Sequence, residues 1–360
     1  MPIEIDQCSS TNITGDVISV AKTNIMNYET LEQLFETGDG NDSFGPESPH
    51  PCVVFEADDD DISGEFAQWL AERPCVVCVI SNQLEELPDC LSYVADVVVD
   101  TTTDADYIAQ IVMNYPVASL VLTQHLRLIE KLDFEAALTA ESFAYALLQG
   151  GGEFKNWLAN KETPAESYVS LSPLSVTREA QHLNLRLNAP ESHNEIDIHL
   201  RDALCEAFEL ASIDETIETL SISAIGKSFS IGGAISEFGH VTDPATAHWI
   251  RSVRLPGRLL ARLVWRDNPV HVQTYLNGPA IGAGLELAAF AHELTAHPKA
   301  WTQLPEIRMG LIPGAGGTVS VSRRIGRHKT AYMVLTGKRI KAETAYKWGL
   351  IDNIEMRMVT

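Results

Sequence analysis

The stretch from Tyr275 to Asn353 constrains this chain more than any other. It opens as YLNGPAIGAGLELAAF, Tyr275 to Phe290, and continues as LPEIRMGLIPGAGGT, Leu304 to Thr318. Val270 to Leu276 reads as a strand, and a glycine-bearing turn then opens a helix that carries Glu286 among apolar residues. A second carboxylate, Glu306, follows 20 positions after the first. Two carboxylates beside a helix N-terminus point to acid–base chemistry on a stabilised oxyanion. Taken singly, each glycine also fits a plain turn. Glu286 alone also fits a helix edge, and Glu306 after Pro305 a cap.

Upstream, strands and helices alternate. Leu183 to Leu187 and Leu220 to Ile225 read as strands, while Leu200, Ala203, Leu204, Ala207, Phe208 and Ala211 repeat at helical spacing. GKSFSIGGAISEF, Gly226 to Phe238, follows a strand just as NGPAIGAG does, and βα architectures place binding sites at strand carboxyl ends. Neither Gly282-Ala-Gly284 nor Gly314-Ala-Gly316 completes a dinucleotide fingerprint, and the chain contains no GxxxxGK phosphate loop.

The first half has a different character. Residues 1–173 hold 30 acidic and 6 basic side chains, against 19 and 20 in residues 174–360. The formal charge of −23 therefore belongs to the first half, leaving the second neutral enough for a polyanionic ligand. Neither half has the basic excess that nucleic acid demands. Cys52 to Phe55, Cys75 to Ile80 and Ala95 to Val99 read as strands, Ile62 to Leu70 as a helix, and 104–160 as predominantly helical. Asp58 to Asp61 lack the glycine and distal glutamate of a calcium loop, so they are expected to charge a helix start. Gly38 to His50 reads as a flexible loop and Glu162 to Leu174 as a linker, which places a domain boundary near residue 173. Cys75 and Cys78 form a CxxC inside a strand, where positions three apart face opposite ways; core cysteines are expected, not a metal site.

NGPAIGAGLEL, PEIRMGLIPGAGGT and MVLTGKRIKAETAYKWGLID (Met333 to Asp352), together with GKSFSIGGAISEF, resemble the catalytic core of the crotonase superfamily, the enoyl-CoA hydratases and isomerases. LNLRLNAPESHNEIDIHLRDALCEAF, Leu183 to Phe208, is similar to that family's opening strand, turn and first helix. The likeness spans residues 174–360. It implies an α/β fold with a ββα spiral core, preceded by an acidic, mixed α/β but mainly helical domain at 1–173.

The resemblance also implies the chemistry. A hydratase-type acyl-CoA lyase would add water to an α,β-unsaturated acyl-CoA thioester through an enolate, with Glu286 and Glu306 as acid and base. Backbone N–H groups of Ser230 and Ala283 would form the oxyanion hole, and Gly314 would lie beside the attacking water. Ile235, Phe238 and Pro313 would contact substrate. No metal and no tightly bound cofactor are implied; coenzyme A enters as part of the substrate. An isomerase or a C–C bond hydrolase on the same scaffold, or a non-enzymatic scaffold protein, are the other readings. The Glu pair favours the hydratase. Gly232-Gly233-Ala234 stands where the family commonly has Gly-Ala-Asp, which argues against an ordinary fatty enoyl substrate.

Arg251, Arg254, Arg258 and Arg262 fall at helical intervals in a segment about ten residues longer than the common spacing. They would meet coenzyme A phosphates, an acidic acyl group or, as preferred here, the acidic first half. Crotonases usually continue into a C-terminal helical domain that covers the site and helps build a homotrimer or dimer of trimers, whereas this sequence ends ten residues after Leu350. Residues 95–161 resemble that domain. The first half is therefore expected to take its place, with Phe154, Trp157 and Lys161 near the coenzyme or a subunit contact. The N-terminus lacks a signal-peptide pattern and no apolar run spans a bilayer, so a cytoplasmic protein without a membrane partner is expected.

Overall fold

A computed structural model of the chain describes residues 28–38, 41–56, 62–82, 87–162 and 170–356. The first half begins with α1 (Tyr28–Thr37), β1 (Cys52–Glu56), α2 (Gly64–Ala71), β2 (Val76–Ile80), α3 (Asp89–Val94) and β3 (Val97–Val99). The three strands form one parallel sheet in the order β1-β2-β3. Its strands are apolar on both faces because both faces are covered. Val53, Phe55, Val77 and Val79 point into a core with Phe66 and Leu70 of α2, while Val54, Val76, Cys78, Val97 and Val99 join a core shared with the second half.

Cys75 and Cys78 accordingly lie in different cores, and burial pushes the Cys75 thiol up to about 12. Ser63 caps α2, its side chain accepting from the Phe66 N–H; Asp58 to Asp61 lie outside the described residues, as does most of the expected linker. Within the expected flexible loop, Phe44 is buried and bridges to His50, because its ring packs with that of Trp69.

Four helices follow: α4 (Thr102–Asn114), α5 (Pro116–Ile129), α6 (Phe134–Gln149) and α7 (Gly152–Asn160). Thr101 and Asp133 cap α4 and α6 through their side-chain oxygens, and Pro116 opens α5 where a missing N–H costs nothing.

The second half runs β4 (Leu174–Glu179), β5 (His182–Leu187), α8 (Ile198–Ile213), β6 (Thr219–Ala224), α9 (Pro244–Val253), α10 (Pro256–Val264) and β7 (His271–Leu276). Then come β8 (Ala280–Ile281), α11 (Ala283–Ala288), β9 (Glu293–Ala296), β10 (Trp301–Gln303), α12 (Gly317–Thr336), β11 (Ile340–Lys341), α13 (Ala342–Lys347) and β12 (Asn353–Ile354). The larger sheet has the order β12-β9-β7-β6-β5-β4, parallel except for the β4–β5 hairpin. A small second sheet, β11-β10-β8, stands apart from it.

The halves are locked together by α12. The Arg327 guanidinium donates to the carbonyls of Ala95, Ser92 and Tyr93, and its Nε lies 3.2 Å from Glu130 of the first half. Arg308 donates to the Tyr107 hydroxyl at 2.6 Å, and that hydroxyl donates to the Thr336 carbonyl. No helix among the described residues is long and apolar enough to cross a membrane.

Candidate active site

The small sheet explains the spacing of the two carboxylates. Parallel pairing matches Ala280 with Thr302 and Ile281 with Gln303, so β8 and β10 end side by side. The chain leaves β8 through Gly282 into α11, and leaves β10 through Leu304 and Pro305 into a tight 3₁₀ turn at Glu306–Met309. Glu286 and Glu306 thus come from neighbouring strand ends. Both line one cleft of about 190 Å³, together with Gly232, Gly233, Ala283, Gly314 and Ala315.

Gly282 adopts φ +48°, and a Cβ there would sit 2.7 Å from Glu306 Oε1. Only glycine permits both that backbone and that approach.

The two acids differ in their partners. Glu286 is 2% exposed, and its Oε2 accepts from the Ala315 N–H at 2.7 Å and the Gly317 N–H at 2.8 Å. Burial pushes its pKa up, as do the Glu306 and Glu141 carboxyls, while the two amides oppose the shift by stabilising the anion. Glu306 is 7% exposed, its Oε2 has no hydrogen-bond partner, and burial raises its pKa to about 8. Charge on Glu306 raises the cost of ionising Glu286, so the pair is built to share one negative charge.

Of the two expected oxyanion donors, Ala283 lies on the cleft and Ser230 does not. Ala283 opens α11 in the cleft, and its N–H, at the first helical position, has no intrahelical acceptor. Ser230 does not lie on the cleft. Its N–H donates to the Pro279 carbonyl, because Ser230 is bridged to Ala280 alongside β8.

Three residues on, Gly233 bridges Ile196: the Ile196 N–H donates to the Gly232 carbonyl, and the Ala234 N–H donates to the Ile196 carbonyl. Those bonds use the groups flanking Gly233 and leave its own N–H turned the other way, on the cleft side. Gly233, not Ser230, shares the cleft with Ala283. Ile235 and Phe238 line the cleft; Pro313 is buried and is not among its lining residues.

The first half reaches the same cleft, which the strand-and-glycine pattern of the second half gives no means of anticipating. Tyr145 of α6 is a lining residue, and a Cβ on Gly314 would meet its ring at 2.2 Å. Only a glycine backbone can lie against that ring. One turn earlier, Glu141 is 1% exposed and accepts from the N–H groups of Gly316 at 2.7 Å and Thr318 at 3.0 Å, and from the Thr318 hydroxyl at 2.6 Å. His125 Nε2 of α5 lies 2.8 Å from that hydroxyl.

Beyond α7, Lys161 Nζ donates to the carbonyls of Ile235 at 2.9 Å and Phe238 at 3.0 Å, and the Trp157 ring meets that of Phe238 edge-on. The signal for these residues was the family likeness of residues 95–161, not any local motif. Among the described residues no group of three or more His, Cys, Asp or Glu side chains is placed to hold a metal.

Residues 177–358 match the family model described as enoyl-CoA hydratase/isomerase. The chain belongs to that family. A 2,3-dehydroadipyl-CoA hydratase of Escherichia coli is 33% identical over 51% of this chain and 69% of its own length. A probable mitochondrial enoyl-CoA hydratase of Dictyostelium discoideum is 30% identical over 55% of this chain and 69% of its own. A trans-2-decenoyl-[acyl-carrier-protein] isomerase of Streptococcus mutans is 30% identical over 47% and 64%. Membership makes the chain an enzyme of the enoyl-CoA hydratase/isomerase type with a crotonase-like α/β core, and an acyl-CoA thioester accords with the family.

Proposed function

We propose that this enzyme adds water across the conjugated double bond of an enoyl-CoA thioester. The thioester oxygen would sit between the N–H groups of Gly233 and Ala283, where the helix dipole of α11 adds to the two donors. Glu286, as carboxylate, would take a proton from water as its oxygen attacks Cβ, and the electron pair of the double bond would move onto the thioester oxygen. Glu306, as carboxylic acid, would then give its proton to Cα as the enolate collapses. One proton enters the pair and one leaves, so the pair regenerates on proton exchange with water.

The observation that carries this reading is a pair of buried acids on one cleft in unlike settings: Glu286 clasped by two amides, Glu306 with an unpartnered oxygen. An isomerase requires one such group; a hydratase requires two with their pKa values pushed apart.

The first half would serve as the helical cover of the site. Tyr145, Glu141, Trp157 and Lys161 support that role, because all four reach the cleft, its walls or the loop beneath it.

Loss of the enoyl-thioester chromophore provides the assay. Glu286→Gln and Glu306→Gln should each lower turnover by at least ~10²-fold, with the fold retained by circular dichroism. Double-bond migration without hydration in the intact enzyme would replace this reading with isomerisation.

A further inference from the structure

The four arginines singled out in the sequence do not share one helix. Arg251 belongs to α9, Arg258 and Arg262 to α10, and Arg254 to the break between them. Arg258 and Arg262 both pair with Glu135 of α6, as the acidic first half predicts.

Arg251 does something else. It lines the catalytic cleft, its guanidinium stacked 4.3 Å over the Tyr145 ring. Nε donates to Ser142 Oγ at 3.3 Å and Nη2 to Gln149 Oε1 at 3.0 Å. Both acceptors are neutral. Among the described residues it forms no ion pair. Glu141, the acid that bears on it electrostatically, is already committed to Gly316 and Thr318. A guanidinium held in place by a ring and two neutral acceptors, and removed from much of the solvent, lacks the counter-charge that ordinarily accompanies burial.

The anion it awaits must fit where Arg251 stands. A thioester seated between Gly233 and Ala283 directs its acyl chain and its coenzyme away from the carbonyl carbon on opposite sides. The coenzyme's phosphates lie a full pantetheine arm from that carbon, too far to enter a cleft of about 190 Å³ that already holds both reacting acids. An anion reaching Arg251 inside this cleft belongs to the acyl group. Ile235, Phe238 and Met309 supply apolar wall for the methylenes between. The Tyr145 hydroxyl, with no hydrogen bond to any described residue, is available as a second donor at the same end.

Building on the hydratase reading, we propose that Arg251 binds a terminal carboxylate of the acyl chain, so that the enzyme selects CoA monothioesters of short dicarboxylic acids over plain fatty ones. The aspartate-free Gly232-Gly233-Ala234 segment accords with a substrate outside the ordinary fatty series.

The test uses the full chain, wild type and with Arg251→Gln or Arg251→Lys. Calorimetric titration with adipyl-CoA, hexanoyl-CoA and free coenzyme A measures binding without turnover. Wild type should bind adipyl-CoA ~10- to 100-fold tighter than hexanoyl-CoA, the range for a hydrogen-bonded charge pair. Arg251→Gln should erase that preference while moving hexanoyl-CoA less than about threefold, and Arg251→Lys should keep part of it, since charge survives and the planar fork does not.

Equal binding of the two acyl thioesters by wild type would overturn the proposal. So would a glutamine variant that weakens free coenzyme A as much as adipyl-CoA, which would assign Arg251 to the coenzyme. Hydration of hex-2-enoyl-CoA and its ω-carboxylated counterpart is followed in parallel. Selective binding without hydration of either would overturn the hydratase reading and leave the carboxylate site standing.

Discussion

Two carboxylates grip the backbone of residues 315–318 from opposite sides, and they come from different halves of the chain. Glu286, on the second half's α11, takes the N–H groups of Ala315 and Gly317; Glu141, on the first half's α6, takes those of Gly316 and Thr318. Gly316 turns through the left-handed region into the start of α12, and each acid collects alternate amides of this turn. Glu286 stands in a motif and faces the cleft. Glu141 stands in an unremarkable amphipathic helix and never touches substrate space. The second half supplies both cleft acids, while the acidic half holds the same loop that Glu286 grips.

The strongest way to break this comparison is to remove one side. Deleting residues 1–173 strips Leu138, Phe154 and the first sheet's inner face from the shared core, and takes Tyr145 and Glu141 with them. The remaining fragment is expected to aggregate or to lose all measurable activity. A soluble, fully active fragment would make the first half a separate binding module.

A smaller effect separates positioning from chemistry. Glu141→Gln leaves one acceptor oxygen for two N–H groups and a hydroxyl, and presents an NH₂ to a donor. A stability loss of ~1–3 kcal/mol is expected from the group left unsatisfied. Turnover should fall about tenfold with KM nearly constant, because the loop that holds Glu286 shifts while the cleft stays. A change in KM alone would mean that α6 acts on binding only.

The smallest effect is in the pH dependence of stability. Burial raises Glu306 to about 8 in the folded protein, above the ordinary carboxylate range near 4.5. The folded state therefore holds a proton that the unfolded state releases. Its stabilisation is full below the unfolded value and is lost as pH climbs from about 4.5 through about 8. The Tm should decline across that window, and Glu306→Gln should make the decline shallower. Glu141, raised to about 7 chiefly by burial, and Glu286, raised by burial and by Glu306, contribute to the same slope, so an unchanged slope in the Glu306 variant would assign it to them.

Much of the second half was legible because its elements carry local signatures. His182–Leu187 alternates inward and outward, α8 repeats at helical spacing from Leu200 to Ala211, and Gly282 must precede Glu286 wherever a strand turns sharply into a helix. The Ser230 expectation failed for an equally local reason. Which amide of GKSFSIGGA is free depends on the ladder partners on either side, Pro279 and Ala280 against Ser230 and Ile196 against Gly233, and the segment's own letters do not contain that register.

Hydrophobic periodicity, glycine placement and the 20-residue interval between Glu286 and Glu306 are properties of short stretches of chain, and the sequence by itself determined them. Gly314's neighbour is Tyr145, Gly316's acceptor is Glu141 and Glu135's partners are Arg258 and Arg262, all more than 100 residues away. Nothing local encodes such pairings. They exist because α6 is amphipathic and must bury its apolar stripe, and only the packing of that stripe against α9 and α12 decided which polar side chains it carried into the site.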